Sequence, residues 1–191
     1  ISKIAEEKVA LHLGKRYNIP SVAMRYSIVQ GPRQSFTNAY SGACRVFCLA
    51  LHLGRVPPIY EDGLQVRDFV NIHDVVDANL KVLDDPRADY RVFNVGGGRP
   101  YTVLEFAAIV ARVFGRELEL RASGSYRFGD TRHIVSDVSS LRGLGWEPQR
   151  SAEDSVAEYR EWLGGFAGVD DVLAGAEARM RELGVVREVL R

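Results

Sequence analysis

Arg67 lies in a run of β-branched and aromatic residues, Val66 to Ile72, just after an Asp62-Gly63 turn. A guanidinium is a planar fork of donors that suits phosphate or carboxylate oxygens. Taken alone, though, a strand arginine is usually a solvated side chain. A second charged stretch, Tyr126-Arg127-Phe128-Gly129-Asp130-Thr131-Arg132-His133, sets guanidinium groups on either side of a carboxylate. Its ordinary reading is a loop whose ions pair with one another. Gly96-Gly97-Gly98 lacks both the Gly-Lys-Ser/Thr ending and the Gly-x-Gly-x-x-Gly spacing of phosphate-cradling loops. Backbone freedom is its expected role. Cys44, Cys48 and His52 recur every four residues, a spacing that zinc accepts. A fourth ligand is not evident and cysteine is among the most buried residue types, so no metal site is expected. Lys3, near a helix start, would by itself be solvated.

Charge balance narrows the ligands. The 191 residues carry 25 Lys and Arg against 25 Asp and Glu. No global positive field draws the chain to nucleic acid or to an anionic membrane, so neither is an expected partner. A phosphate-bearing ligand must be held by local arginines. Two cysteines four residues apart make no disulfide framework and fit a reducing compartment, which gives a cytoplasmic expectation. No apolar run approaches the roughly 18 residues of a membrane span, and no signal-peptide pattern is present. The sequence opens on Ile1 inside a helix-like stretch rather than on methionine, and is expected to be a fragment.

The elements that would position these groups alternate between helical periodicity and short β-branched runs, the pattern of an α/β protein with a mainly parallel sheet. Residues 2–17 predict a helix and Val22 to Tyr26 a strand, followed by a turn-rich loop from Gly31 to Ser41. A helix with Ala43, Phe47, Ala50 and Leu51 on one face comes next. Pro57 to Tyr60 and Val66 to Ile72 read as strands around the Glu61-Asp62-Gly63 turn. A helix from near Asp74 carries Val76, Leu80 and Leu83 and stops at Asp85-Pro86. Val92 to Val95 reads as a buried strand. Thr102-Val-Leu-Glu105 is a capping box for a helix ending at Gly115. A short strand near Leu118, a small helix from Asp137, a helix capped by Ser151 and ending at Gly164, and a last helix from about Asp170 to Leu183 complete the chain. Gly164 to Val169 is the plausible linker.

Several of these blocks together resemble the extended short-chain dehydrogenase/reductases that act on nucleotide sugars. Ser2-Lys3-Ile4-Ala5-Glu6-Glu7, a helix, and a Pro-Ser-Val-Ala-Met-Arg-Tyr strand resemble the segment after that family's catalytic tyrosine, whose motif is Tyr-x-x-x-Lys. Arg25-Tyr-Ser-Ile-Val-Gln-Gly-Pro-Arg33 is similar to Arg-Tyr-x-Asn-x-x-Gly-Pro-Arg, with Ile28 in the place of the asparagine. Tyr60 through Ala78 resembles the Gly-Asp-Gly-x-x-x-Arg-Asp-Phe-Val block, and Ser136 through Pro148 the family's closing motif.

The resemblance implies a fold and a set of roles. The fold is α/β: the C-terminal part of a Rossmann-type sheet with a smaller substrate-binding domain. Residues 1–30 would end the NAD-binding portion. Residues 31–164 would be mostly the sugar-nucleotide portion, interleaved with late Rossmann elements near 66–100, and 165–191 a helical tail. Lys3 would hold the nicotinamide ribose and tune the tyrosine, which would lie two positions before Ile1. Tyr26 would bring its backbone near the nicotinamide; its bland alternative is packing. Arg67 and Arg127 would grip the diphosphate and Asp130 a ribose hydroxyl, with Arg33 and Asn38 as further substrate contacts. Asp68 and Asp74 read as structural. The implied activity is an NAD-dependent nucleotide-sugar 4-epimerase passing through a 4-keto sugar. The Gly-Asp-Thr-Arg-His and Arg-Tyr-Ser-Ile-Val-Gln stretches favour a deoxysugar. The alternatives are a 4,6-dehydratase and a non-catalytic binding module. A homodimer through residues 2–17 is also implied.

Overall fold

The structure, a computed structural model, describes residues 1–36, 42–117, 119, 122–166, 169 and 172–188. Helix α1 (Ser2–Tyr17) leads into strand β1 (Ala23–Tyr26), and β2 (Ile28–Gln30) follows after one residue. Helix α2 spans Ala43–His52, β3 Val66–Asn71 and α3 Ile72–Asp84. Then come β4 (Val92–Val95), β5 (Pro100–Thr102), α4 (Val103–Val113) and β6 (Ser125–Arg127). Helices α5 (Ser139–Arg142), α6 (Ala152–Gly164) and α7 (Val172–Glu182) and strand β7 (Val186–Glu188) close the chain.

Small sheets organise these elements. β1 lies parallel to β4, with Met24 opposite Phe93. β3 is parallel to β2 and antiparallel to β5. β6 and β7 form an antiparallel pair. Among the described strands β1 pairs with β4 alone, so its other edge is open. Helix α1, which packs on β1, leaves Ile4, Val9 and Leu13 exposed.

β3 divides two cores because successive strand residues face opposite sides. Phe69 joins the cluster between α2, α4 and α6, where its ring lies 4.2 Å from Phe106. Val70 joins the cluster of β4, α3 and α5, with Phe93, Leu141 and Trp146. Arg67 therefore shares a side with Phe69, and Asp68 with Val70.

Local chemistry sets the helix starts. Thr102 forms the expected capping box with Glu105, and Ser151, expected as a cap, forms a complete box with Asp154. α3 starts earlier than Asp74, because the Asn71 side chain accepts from the His73 amide and serves as the N-cap. Its buried face is Val75, Ala78 and Val82, whereas Val76, Leu80 and Leu83 are exposed. The expected strand from Pro57 to Tyr60 reduces to one bridge between Ile59 and Ala122. Pro57 and Pro58 have no amide to give a ladder. The expected strand near Leu118 lies outside the described residues.

The tail is not purely helical. After α7, Gly184 takes φ 65 and Val185 and Val186 turn back into β7.

Candidate functional site

The alternation that puts Arg67 on the side of Phe69 also aims it into a cleft of about 450 Å³, within the range of small-molecule sites. Arg127, the last residue of β6, and Asp130, just past the left-handed Gly129, line the same cleft. The Asp130 carboxylate lies between the two cations. Its Oδ2 is 3.8 Å from Arg67 Nη2 and 4.0 Å from Arg127 Nη1. These are loose contacts, longer than hydrogen bonds. The same Arg67 donates through Nη1 to the carbonyls of Val66 and Arg132, which fixes its direction. Arg127 keeps a buried Nε that finds no partner among the described residues. Two guanidinium groups with uncommitted N–H donors beside one carboxylate match an anion that carries hydroxyls nearby.

One wall of the cleft is apolar. Ile28, Val46, Phe47, Phe69 and Ile134 line it, and Gly42 and Ala43 bring the amino end of α2 to it. An apolar wall facing a few convergent charges suits a ligand with a flat or apolar part joined to an anionic one.

The mouth is clasped across the chain. Arg132 Nη1 binds Glu61 Oε2 at 2.7 Å, and Arg132 Nη2 binds Asp62 Oδ2 at 2.7 Å. The Arg132 guanidinium, with help from the Leu64 amide, lowers the Asp62 carboxyl from 3.8 to about 2. A depressed carboxylate contributes above its unfolded pKa and loses that contribution as pH falls through the folded value. The clasp is therefore complete above about pH 4 and opens as pH falls from there through about 2. In a carbon-detected NMR titration, the Asp62 carboxyl should show a midpoint of about 2, moving up toward its ordinary 3.8 in Arg132→Ala. An unmoved midpoint in the variant would contradict the clasp.

The carboxylates read as structural are so. Asp68 is buried and accepts from the amides of Gly97 and Ser136. It thus pins the glycine turn and the loop bearing Asp130 and Arg132 to β3. Asp74 is buried and accepts from the Arg150 amide and guanidinium. Gly98 takes φ 75, the backbone freedom expected of the run, while Gly97 acts by close approach: a Cβ there would lie 1.7 Å from the Phe69 carbonyl oxygen. Cys44 and Cys48 are buried with sulfurs 3.9 Å apart, while His52 is exposed.

Other expected site residues do not join the cleft. Lys3 is exposed and pairs with Glu6 at 2.6 Å. Tyr26 donates its hydroxyl to Asn79 Oδ1 at 2.8 Å, a packing bond between β1 and α3. Both sit at one end of the α1–β1 unit, which Arg25 and Glu7 tie together. Arg33 takes φ 68, is exposed and is not among the cleft-lining residues. Asn38 lies outside the described residues. The lining residues Glu61 and Gln65 and the clasp residue Arg132 had no assigned role in the sequence. Gln65 was recoverable, since it stands two residues before Arg67 and so faces the same side of the strand.

An α/β core thus gathers two arginines and an aspartate at one cleft, and comparison with known proteins specifies the family. Residues 1–96 match the NAD dependent epimerase/dehydratase family. The chain belongs to that family. It is similar to dTDP-L-rhamnose 4-epimerase of Burkholderia thailandensis, 37% identical over 163 residues, 85% of this chain and 45% of that protein. It is also similar to a putative UDP-glucose 4-epimerase of Methanocaldococcus jannaschii, 29% identical over 84% of this chain and 50% of that protein. Among solved structures, UDP-glucose 4-epimerase of Thermotoga maritima with UDP-glucose superposes with a TM-score of 0.75 at 29% identity, covering 85% of this chain and 52% of that one. The chain thus spans about half the length of the curated relatives it matches. Among the described residues no helix is long and apolar enough to cross a membrane.

Proposed function

We propose that this chain supplies the nucleotide-sugar cleft of an NAD-dependent 4-epimerase, with a nucleoside-diphosphate deoxysugar as substrate. The observation that carries this reading is the meeting of Arg67, Arg127 and Asp130 at one cleft from distant points in the sequence. The arginines hold the diphosphate, and Asp130 accepts from a ribose hydroxyl. The apolar wall from Ile28 to Ile134 takes the base or the sugar's apolar face. Binding at these remote groups sets the reacting carbon in place without joining the bond-making.

The cofactor fits this chain only at its nicotinamide end. Lys3 offers an ammonium and the end of β1 at Tyr26 offers backbone. The chain has no Gly-x-Gly-x-x-Gly turn for a pyrophosphate. When bound, NAD supplies a hydride acceptor and donor for the sugar carbon. The open edge of β1, with exposed apolar residues on the neighbouring α1, is what an unfinished parallel sheet presents. The rest of the cofactor domain would complete that sheet. A homodimer through α1 is the further expectation the family carries.

The position four before Lys3, where the family's Tyr-x-x-x-Lys motif sets its tyrosine, lies outside these 191 residues. Taken alone, these 191 residues, with the cleft but no dinucleotide turn, should bind nucleoside diphosphates and turn over no nucleotide sugar. Calorimetry with thymidine diphosphate, beside a chromatographic assay of dTDP-rhamnose with NAD, tests both halves. Saturable binding without a new sugar is expected. No binding would remove the cleft from this role, and turnover would refute the division of labour. In a chain extended upstream, a 4-keto-6-deoxy product would assign the dehydratase reaction instead.

A further inference from the structure

We infer that the segment after α7 positions the site: strand β7 holds β6 so that Arg127 enters the cleft. This rests on the cleft reading above and adds a role for residues 183–188, which no part of that reading uses.

β6 is three residues long, Ser125–Arg127. At its start it is tied to the rim, where the Ser125 carbonyl accepts from the Glu61 amide at 2.8 Å. Arg127 lies at the other end, and there the ladder partner is β7, with Arg127 opposite Val186 and Tyr126 opposite Arg187. The Phe128 amide donates to the Val185 carbonyl at 2.8 Å. In an antiparallel ladder hydrogen-bonded and non-hydrogen-bonded pairs alternate, so Arg127 and Val186 form a non-hydrogen-bonded pair with close side chains. Val186 is buried, as is Arg127 Nε. The Arg187 guanidinium stands 4.0 Å from the centre of the Phe128 ring, which locks the residue after Arg127.

The fold anchors β7 in turn. The Val185 amide donates to the Met180 carbonyl and the Gly184 amide to the Arg181 carbonyl, a glycine-terminated helix end that reverses the chain. Met180 is buried, and α7 packs on α2, whose first residues line the cleft. Through α7 and β7 in series, the chain end thus joins the elements that supply two walls of the site.

A positioning residue acts through the group it positions, so its effect vanishes when that group is gone. The experiment is calorimetric titration with thymidine diphosphate of Val186→Ala, Val186→Ile and a chain ending at Glu182, each with Arg127 and with Arg127→Ala. With Arg127 present, truncation should weaken binding about tenfold and Val186→Ala about threefold, with Val186→Ile close to the parent. In the Arg127→Ala background each change should be under about twofold. If the shortened chain does not fold, the Val186 pair decides alone. Loss of affinity on Arg127→Ala but none in the tail variants overturns the positioning role and leaves the cleft intact. Equal losses in both backgrounds overturn it too, since the segment then acts without Arg127. An Arg127→Ala chain that binds as the parent does overturns the cleft reading and this inference with it.

Discussion

Arg67→Ala is expected to weaken thymidine diphosphate binding by about 30-fold, because a charge-assisted hydrogen bond contributes about 1.5–3 kcal/mol. Arg67 is held by the Val66 and Arg132 carbonyls through Nη1, which leaves Nη2 facing Asp130 and the cleft. Its side chain is 12% exposed. Water screens it little, and an anion there meets a directed donor rather than a mobile charge. Arg67→Lys should fall between parent and alanine, since the charge remains and the fork is lost. Unchanged affinity in Arg67→Ala would take this residue out of the site. The chain's far-ultraviolet dichroism should be unchanged, which separates lost contact from lost fold.

Gly97→Ala is expected to destabilise the fold by about 3 kcal/mol, a value for forced overpacking against backbone. The added Cβ would meet the Phe69 carbonyl oxygen at 1.7 Å and its carbon at 2.8 Å. Neither atom belongs to a side chain that can swing aside. The Gly97 amide is also bound to Asp68 Oδ1 at 2.8 Å, so backing the turn away breaks a bond to a buried carboxylate. Gly164→Ala is the control. Nothing lies near a Cβ there, at the end of α6, and alanine should leave stability equal or raise it by about 0.5–1 kcal/mol. Urea unfolding of the two variants checks the contrast. Equal midpoints would mean that the turn does not press on β3.

Much of this architecture was legible in the residues. The capping box at Thr102 and the cap at Ser151 are local chemistry, written in neighbouring side chains, and they hold. The β-branched run at Val66 and the strand alternation put Arg67 and Asp68 on opposite sides, as the structure has them. What failed depended on contacts distant in sequence. α3 carries two apolar stripes at helical spacing, and only packing on β2 and β3 chooses Val75, Ala78 and Val82 over Val76, Leu80 and Leu83. The strand β7 was missed because three residues after a helix show no periodicity until a partner, β6, is known. The Arg132 clasp on Glu61 and Asp62 joins residues about seventy positions apart. No local pattern announces such a pair.

The central claim is that two guanidinium groups from separate elements close on one diphosphate. It is tested most directly by following arginine side-chain N–H resonances by NMR during a thymidine diphosphate titration, with assignments from Arg67→Lys and Arg127→Lys. Both Nε–H signals should move together and saturate with one dissociation constant, and thymidine should move neither as far. Signals from residues 67 and 127 that stay still while other arginines respond would contradict it.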